Sequence, residues 1–234
     1  MRRRDTMIGS AAMLTLLAAT ALGSSRRAWA SQLSESDAAL GVRQALERGA
    51  VSAVGLLGRT DGFLGNPKVR IELPGMLKDA ARLLRATGQG QRVDELEIAM
   101  NRAAEAAVPQ ARTLLVNAVK SMSIEDARKV VSGGEDAATR FFETKTREPL
   151  GAQFLPIVTR ATQKVSLAEK YNRFASRAAG VGLLKGDQVS LEQHVTSRAL
   201  DGLFFMIGEE ERKIRRDPVG AGTALLRRVF GSGR

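Results

Sequence analysis

One apolar column constrains the fold of this chain more than any other feature. Val93, Leu96, Met100, Ala103, Ala107, Ala111, Leu114, Ala118 and Met122 recur at three- and four-residue spacing. That is the period which places side chains on one face of an α-helix. Pro109 falls inside the column. Proline lacks a backbone donor and its ring clashes with the preceding turn, so the spacing predicts a kink or a break there.

Most of the remaining chain carries the same period. Residues 36–57 repeat Leu40, Leu46, Val54 and Leu57, with Gly41, Gly49 and Gly55 loosening the helix. Residues 60–75 differ: Asp61-Gly62 and Asn66-Pro67 are turn signals, and Val69-Arg70-Ile71-Glu72-Leu73 alternates apolar with charged. That predicts one short extended segment over 69–73, closed by Pro74, which then opens a helix to Ala86. Ser123-Ile124-Glu125-Asp126 reads as a capping box for a short helix ended by Gly133-Gly134. Further helices are expected over 135–147, 149–165 (with Pro156 inside), 166–179 and 190–216, and a last one from Pro218 to Phe230. The expectation is a single all-α domain over 31–234, with seven or eight helices and no parallel sheet.

The first thirty residues read differently. Met1-Arg2-Arg3-Arg4-Asp5 is basic, residues 7–23 carry no charge, and Ala28-Trp29-Ala30 supplies an A-x-A exit. This is the layout of a cleavable export signal, cut before Ser31. The apolar run sits at the low edge of the ~20 residues needed to span hydrocarbon, and no later stretch approaches that length, so no integral membrane segment is expected after cleavage. Arg3-Arg4-Asp5-Thr6-Met7-Ile8 resembles the twin-arginine signal, although Thr6 stands where that signal usually has Phe or Leu. General secretion stays open as the alternative route. The expected location is the periplasm or another exported compartment.

The chain has no cysteine, so an exported product must hold together by packing alone. The formal charge is +11, and five Arg and one Asp in residues 1–30 account for +4 of it, leaving +7. Basic charge often marks nucleic-acid binding. Here the charges are dispersed, aromatics are 4%, and the destination lies outside the cytoplasm. The partner class expected is an envelope protein or an anionic membrane surface, with no nucleic acid. The densest basic patch, Arg212-Lys213-Ile214-Arg215-Arg216, reads as a solvated helix end. Beyond it, Val219, Leu225, Leu226, Val229 and Phe230 accompany Arg227 and Arg228. That segment either lies on an anionic membrane or closes the bundle, and a short terminal helix more often docks on its own core.

Most catalytic chemistries fail on inventory. With no Cys and one His, imidazole or thiolate metal sites are not expected. Glu209-Glu210-Glu211 is the one dense acidic run; on a helix Glu209 would face Lys213 and Glu211 would face Arg215, a salt-bridged solvated face. No G-x-S-x-G elbow is present. His194, Arg198 and Asp201 share a helix flank, but two turns separate the His from the Asp, too far to pair. Glu105, beside Asn101 and Arg102, is the best single carboxylate and reads first as a structural ion pair. The string Gly180-Val181-Gly182-Leu183-Leu184-Lys185-Gly186 is one residue too long for a dinucleotide fingerprint and follows a helix instead of a strand. No catalytic, cofactor-binding or metal residue is therefore assigned, and no cofactor is expected.

Several strings nevertheless form a recognisable set: Asp61-Gly62-Phe63 with Val69-Arg70-Ile71-Glu72-Leu73-Pro74, Met100-Asn101-Arg102-Ala103-Ala104-Glu105, Asp136-Ala137-Ala138-Thr139-Arg140-Phe141-Phe142, Ala199-Leu200-Asp201-Gly202-Leu203-Phe204, and the tail from Glu210 to Pro218 with Arg228-Val229-Phe230-Gly231. In this order they resemble the bacterial family known as domain of unknown function 4197, over nearly all of residues 31–234. His194 departs from the family pattern, which has Tyr there. The resemblance implies an exported, mostly helical protein and no particular activity. The sequence thus points to a non-enzymatic binding or envelope-associated role. The alternatives are a carboxylate-dependent enzyme using Glu105 or the His194 flank, and a peripheral binder of anionic lipid through the basic C-terminal helix.

Overall fold

A computed structural model describes the backbone of residues 21–180 and 190–217, and side chains over 36–173 (Met76 and Asp79 excepted) and 190–217. Within these residues eight α-helices follow one another: α1 (Ala21–Leu57), α2 (Gly75–Ala86), α3 (Gly90–Ala107), α4 (Ala111–Lys120), α5 (Ile124–Ser132), α6 (Ala137–Thr162), α7 (Ser166–Gly180) and α8 (Leu191–Arg216). The described residues include no strand. One continuous apolar core joins side chains from all eight, centred where α6 packs on α8 and α3, and α1 lies along α8 and α4. None of the described helices is long and apolar enough to cross a membrane.

The opening column is the spine of this core. Val93 through Ala111 are buried at every predicted position. Pro109 does break the helix, inside a 3-10 turn over Val108–Gln110. A 3-10 turn winds three residues per turn instead of 3.6, so α4 leaves it at a changed azimuth. Burial accordingly moves to Leu115 and Val119, and the expected Leu114 and Ala118 are only half-buried. A similar correction applies to α1, whose core face is Ala39, Val42, Leu46, Ala50, Ala53 and Leu57, with Leu40 46% exposed.

The expected break near residue 148 is absent. α6 runs unbroken for 26 residues with both Pro149 and Pro156 inside it. Its buried residues, Ala138, Phe142, Thr146, Leu150, Phe154, Val158 and Thr162, keep strict four-residue spacing through both prolines. Six steps of four residues advance about 240° around a 3.6-residue helix, so this line spirals. It can meet α5, α8, α3 and α4, the helices that α6 touches. Tertiary contact on several sides outweighs the ~3 kcal/mol that each interior proline costs.

Other boundaries follow their local signals. Ser123 and Asp126 form the predicted capping box on α5, and Ser190 caps α8 by accepting from the Gln193 N–H. α1 continues upstream across the Ala30–Ser31 bond. Residues 1–20 of the expected export signal, the 181–186 part of the glycine-rich string and the helix expected from Pro218 to Phe230 lie outside the described residues.

Candidate functional site

The polar residues singled out from sequence converge on one irregular segment, 58–74, between α1 and α2. Its turn is tight: Asp61 adopts φ +62°, and a Cβ on Gly62 would sit 2.4 Å from the Leu57 carbonyl oxygen. Only glycine fits there. Glu105 of α3, 5% exposed, accepts from the Phe63 N–H at 3.0 Å and the Leu64 N–H at 3.1 Å. Its second oxygen takes Arg102 at 2.6 Å, and Arg102 reaches on to Asp61 at 2.7 Å. The hydrogen bond to Glu105, then the one to Asp61, holds the Arg102 guanidinium more firmly protonated.

The alternating stretch begins in a turn at Val69 and takes no regular secondary structure over 70–73, and no strand pairs with it. Fully buried Asn101 takes that place: its Oδ1 accepts from the Ile71 N–H at 2.8 Å and its Nδ2 donates to the Ile71 carbonyl at 2.9 Å. One side-chain amide thus satisfies both backbone groups of Ile71. From the opposite side, His194 of α8 places Nε2 3.1 Å from the Glu72 carbonyl. A carbonyl only accepts, so Nε2 carries the proton. Gly202, also on α8, leaves room for Phe63: a Cβ there would lie 2.7 Å from the Phe63 ring.

Glu105, Asn101, Arg102 and His194 are therefore brought together as neighbours of one segment, each engaged with backbone or with another of the set. His194 and Asp201 are not joined. Asp201 binds Arg147 of α6, with Arg198 at 3.5 Å on its other oxygen.

The acidic run departs further from expectation. Glu209 pairs with Lys68 and Arg212 instead of Lys213, and Lys213 pairs with Glu210. Arg212 first, then Lys68, pulls the Glu209 carboxyl down from 4.5 to about 2. Glu211 does bind Arg215 at 2.8 Å, but its face is not solvated: the residue is 5% exposed. It accepts from the Ala138 N–H at 3.0 Å, the Thr139 N–H at 2.9 Å and the Thr139 hydroxyl at 2.9 Å. Glu211 caps the N-terminus of α6 from another helix. Position Asp136 makes no side-chain cap bond of its own. That missing local cap is the signal from which an outside acceptor could have been sought.

Two open concavities remain near these anchors. Between α1 and α5, Ala38, Ala39, Val42, Ile124, Ala127 and Val131 line an apolar groove of about 370 Å³. Between residues 70–73 and α2, Arg70, Lys78, Arg82 and Arg85 face a cleft of about 290 Å³ with Glu72 and Glu97. Its charges are paired: Lys78 with Glu72, whose carboxyl that contact lowers, and Arg70 and Arg85 with Glu97. Neither concavity sets a nucleophile beside a base. Among the described residues no three His, Asp or Glu side chains gather as a metal site would require.

Most of the strings that carry the family resemblance are the partners just described, and Arg228-Val229-Phe230-Gly231 lies outside the described residues. Asp61-Gly62-Phe63 lies on Glu105, Ile71 on Asn101, Phe63 under Gly202, and the start of α6 on Glu211. Comparison with curated proteins and with solved structures gives no match. The profile of the family described as "Protein of unknown function (DUF4197)" matches residues 32–231. The match spans most of the chain and includes every one of these anchors, and the protein belongs to the DUF4197 family.

Proposed function

We propose that this is an exported, envelope-resident helical protein that acts by binding and not by catalysis. One observation carries the reading. The candidate acid–base side chains singled out from sequence are committed to holding backbone, Glu105 to Phe63 and Leu64 and His194 to Glu72, and Asn101 and Glu211 likewise hold Ile71 and the start of α6. A general acid or base needs a free valence toward a substrate. The basic N-terminus, the uncharged run over 7–23 and Ala28-Trp29-Ala30 support export with cleavage before Ser31. The twin arginines support passage in the folded state.

Two experiments test this. Fractionation with mass measurement should find a soluble or peripheral exported chain beginning at Ser31. It should lack tryptophan emission, because Trp29 is the sole Trp. A cytoplasmic chain retaining residues 1–30 sinks the export reading. Separately, Glu105→Gln and His194→Gln should still complement a deletion strain once protein levels and melting temperature are matched. Loss of complementation at unchanged stability would turn the reading toward the carboxylate-dependent enzyme.

A further inference from the structure

We propose that the C-terminal segment, residues 218–230, docks in the apolar groove between α1 and α5. The course of α8 is the first ground. Gly202 lies at Phe63, past the end of α1, whereas Glu210 and Ile214 lie against Gly49, and Ile214 lines one small cavity with Leu46 and Val42. α8 thus runs toward lower α1 numbers. Arg215 anchors its end by donating to the Val130 carbonyl of α5 at 2.8 Å. The next positions along the same two helices, Ala39 and Ala38 on α1 and Val131 on α5, line the groove. α8 ends at Arg216, and its course along α1 leads toward that groove.

The second ground is the segment itself. Pro218 cannot continue the hydrogen-bonding of α8, and Gly220 and Gly222 let the chain turn. Leu225, Leu226, Val229 and Phe230 then fall at i, i+1, i+4 and i+5, one stripe of a helix, with Arg227 and Arg228 on its flanks. Eight residues from Asp217 to Leu225 span up to about 26 Å when extended, ample for a neighbouring site. Six of the eight side chains lining the groove are apolar, with Ile124 44% exposed, and Arg128 and Ser132 complete it. A tether this short holds the segment near millimolar effective concentration. That favours it over an untethered occupant of similar affinity.

The chain has no cysteine, which permits a clean test. Val131→Cys with Leu226→Cys, oxidised mildly in the otherwise unaltered chain, should form an intramolecular disulfide on monomers. The yield should exceed at least about tenfold that of a control pair, Leu83→Cys with Leu226→Cys, since effective concentration at the site sets it. A disulfide between two chains would assign the groove to a second copy and overturn the proposal, as would a yield at control level. A second variant avoids new cysteines. Ile124→Gln with Val131→Gln should raise tryptic cleavage after Arg227 and Arg228 about tenfold, by freeing the segment. Unchanged cleavage overturns docking. So does cleavage that is fast in the native chain and slowed by phosphatidylglycerol vesicles, the mark of a lipid-binding helix.

Discussion

Glu105 and Glu211 make the same bond set in two different places. Each is buried, each accepts two consecutive backbone N–H groups from a distant segment, and each binds an arginine on its own helix. They differ in what they hold. Glu105 fixes an irregular turn whose N–H groups carry no aligned dipole. Glu211 sits at the start of a 26-residue helix, where unpaired N–H groups and the positive end of the macrodipole both favour an anion. Their arginines differ too: the Arg102 side chain is 38% exposed and shares Asp61, whereas the Arg215 side chain is 18% exposed. A carboxylate of this kind matters in proportion to the order of what it caps and to how deeply its partner is desolvated.

That contrast ranks the expected losses. Glu211→Ala takes the buried carboxylate from Arg215, which keeps the Val130 carbonyl, and the cap from α6, and should cost about 3–5 kcal/mol, read as a fall in denaturant midpoint. Glu105→Ala should cost less, about 2–3 kcal/mol, because Arg102 keeps Asp61 and water access while two backbone donors lose their acceptor. Equal or reversed losses would break the comparison. Gly202→Ala sharpens it from the loop side: the new methyl meets the Phe63 ring without touching Glu105. Overpacking should cost about 1–3 kcal/mol, and protease cuts should move to residues 58–66. The smallest effect is a pH dependence. Glu209 has a folded pKa of about 2 against an ordinary 4.5. Its contribution is therefore present above pH 4.5 and lost as pH falls from there toward 2. Glu209→Gln should flatten the stability profile in that window, lower stability modestly at neutral pH, and change it least near pH 2, where the native carboxyl is itself protonated.

Glu105 was readable from sequence because it stands beside Arg102 on an apolar helix face. Glu211 was not, because its i,i+4 partner Arg215 satisfies the rule for a surface pair. Nothing in one helix's spacing tells that another helix will bring its first turn against that face. Asn101 was singled out but its role was not: its one local partner is the Glu97 carbonyl, and Ile71, which it holds, lies thirty positions away in the chain. The prolines of α6 mislead in the opposite direction. Local chemistry predicts a break at residue 148, and a line of buried side chains running through both prolines overrides it.

The sequence by itself determined the all-α class, the helix period, the Pro109 break, the capping box at Ser123, the irregular segment before Pro74 and the family. Each depends on interactions within a few residues or on a pattern repeated along one helix. Tertiary structure alone decided that α6 is continuous, that Asn101 stands in for a strand and that Glu211 is a cap instead of a surface charge. Those outcomes turn on long-range desolvation, which removes a polar group from water only when a distant segment arrives to cover it.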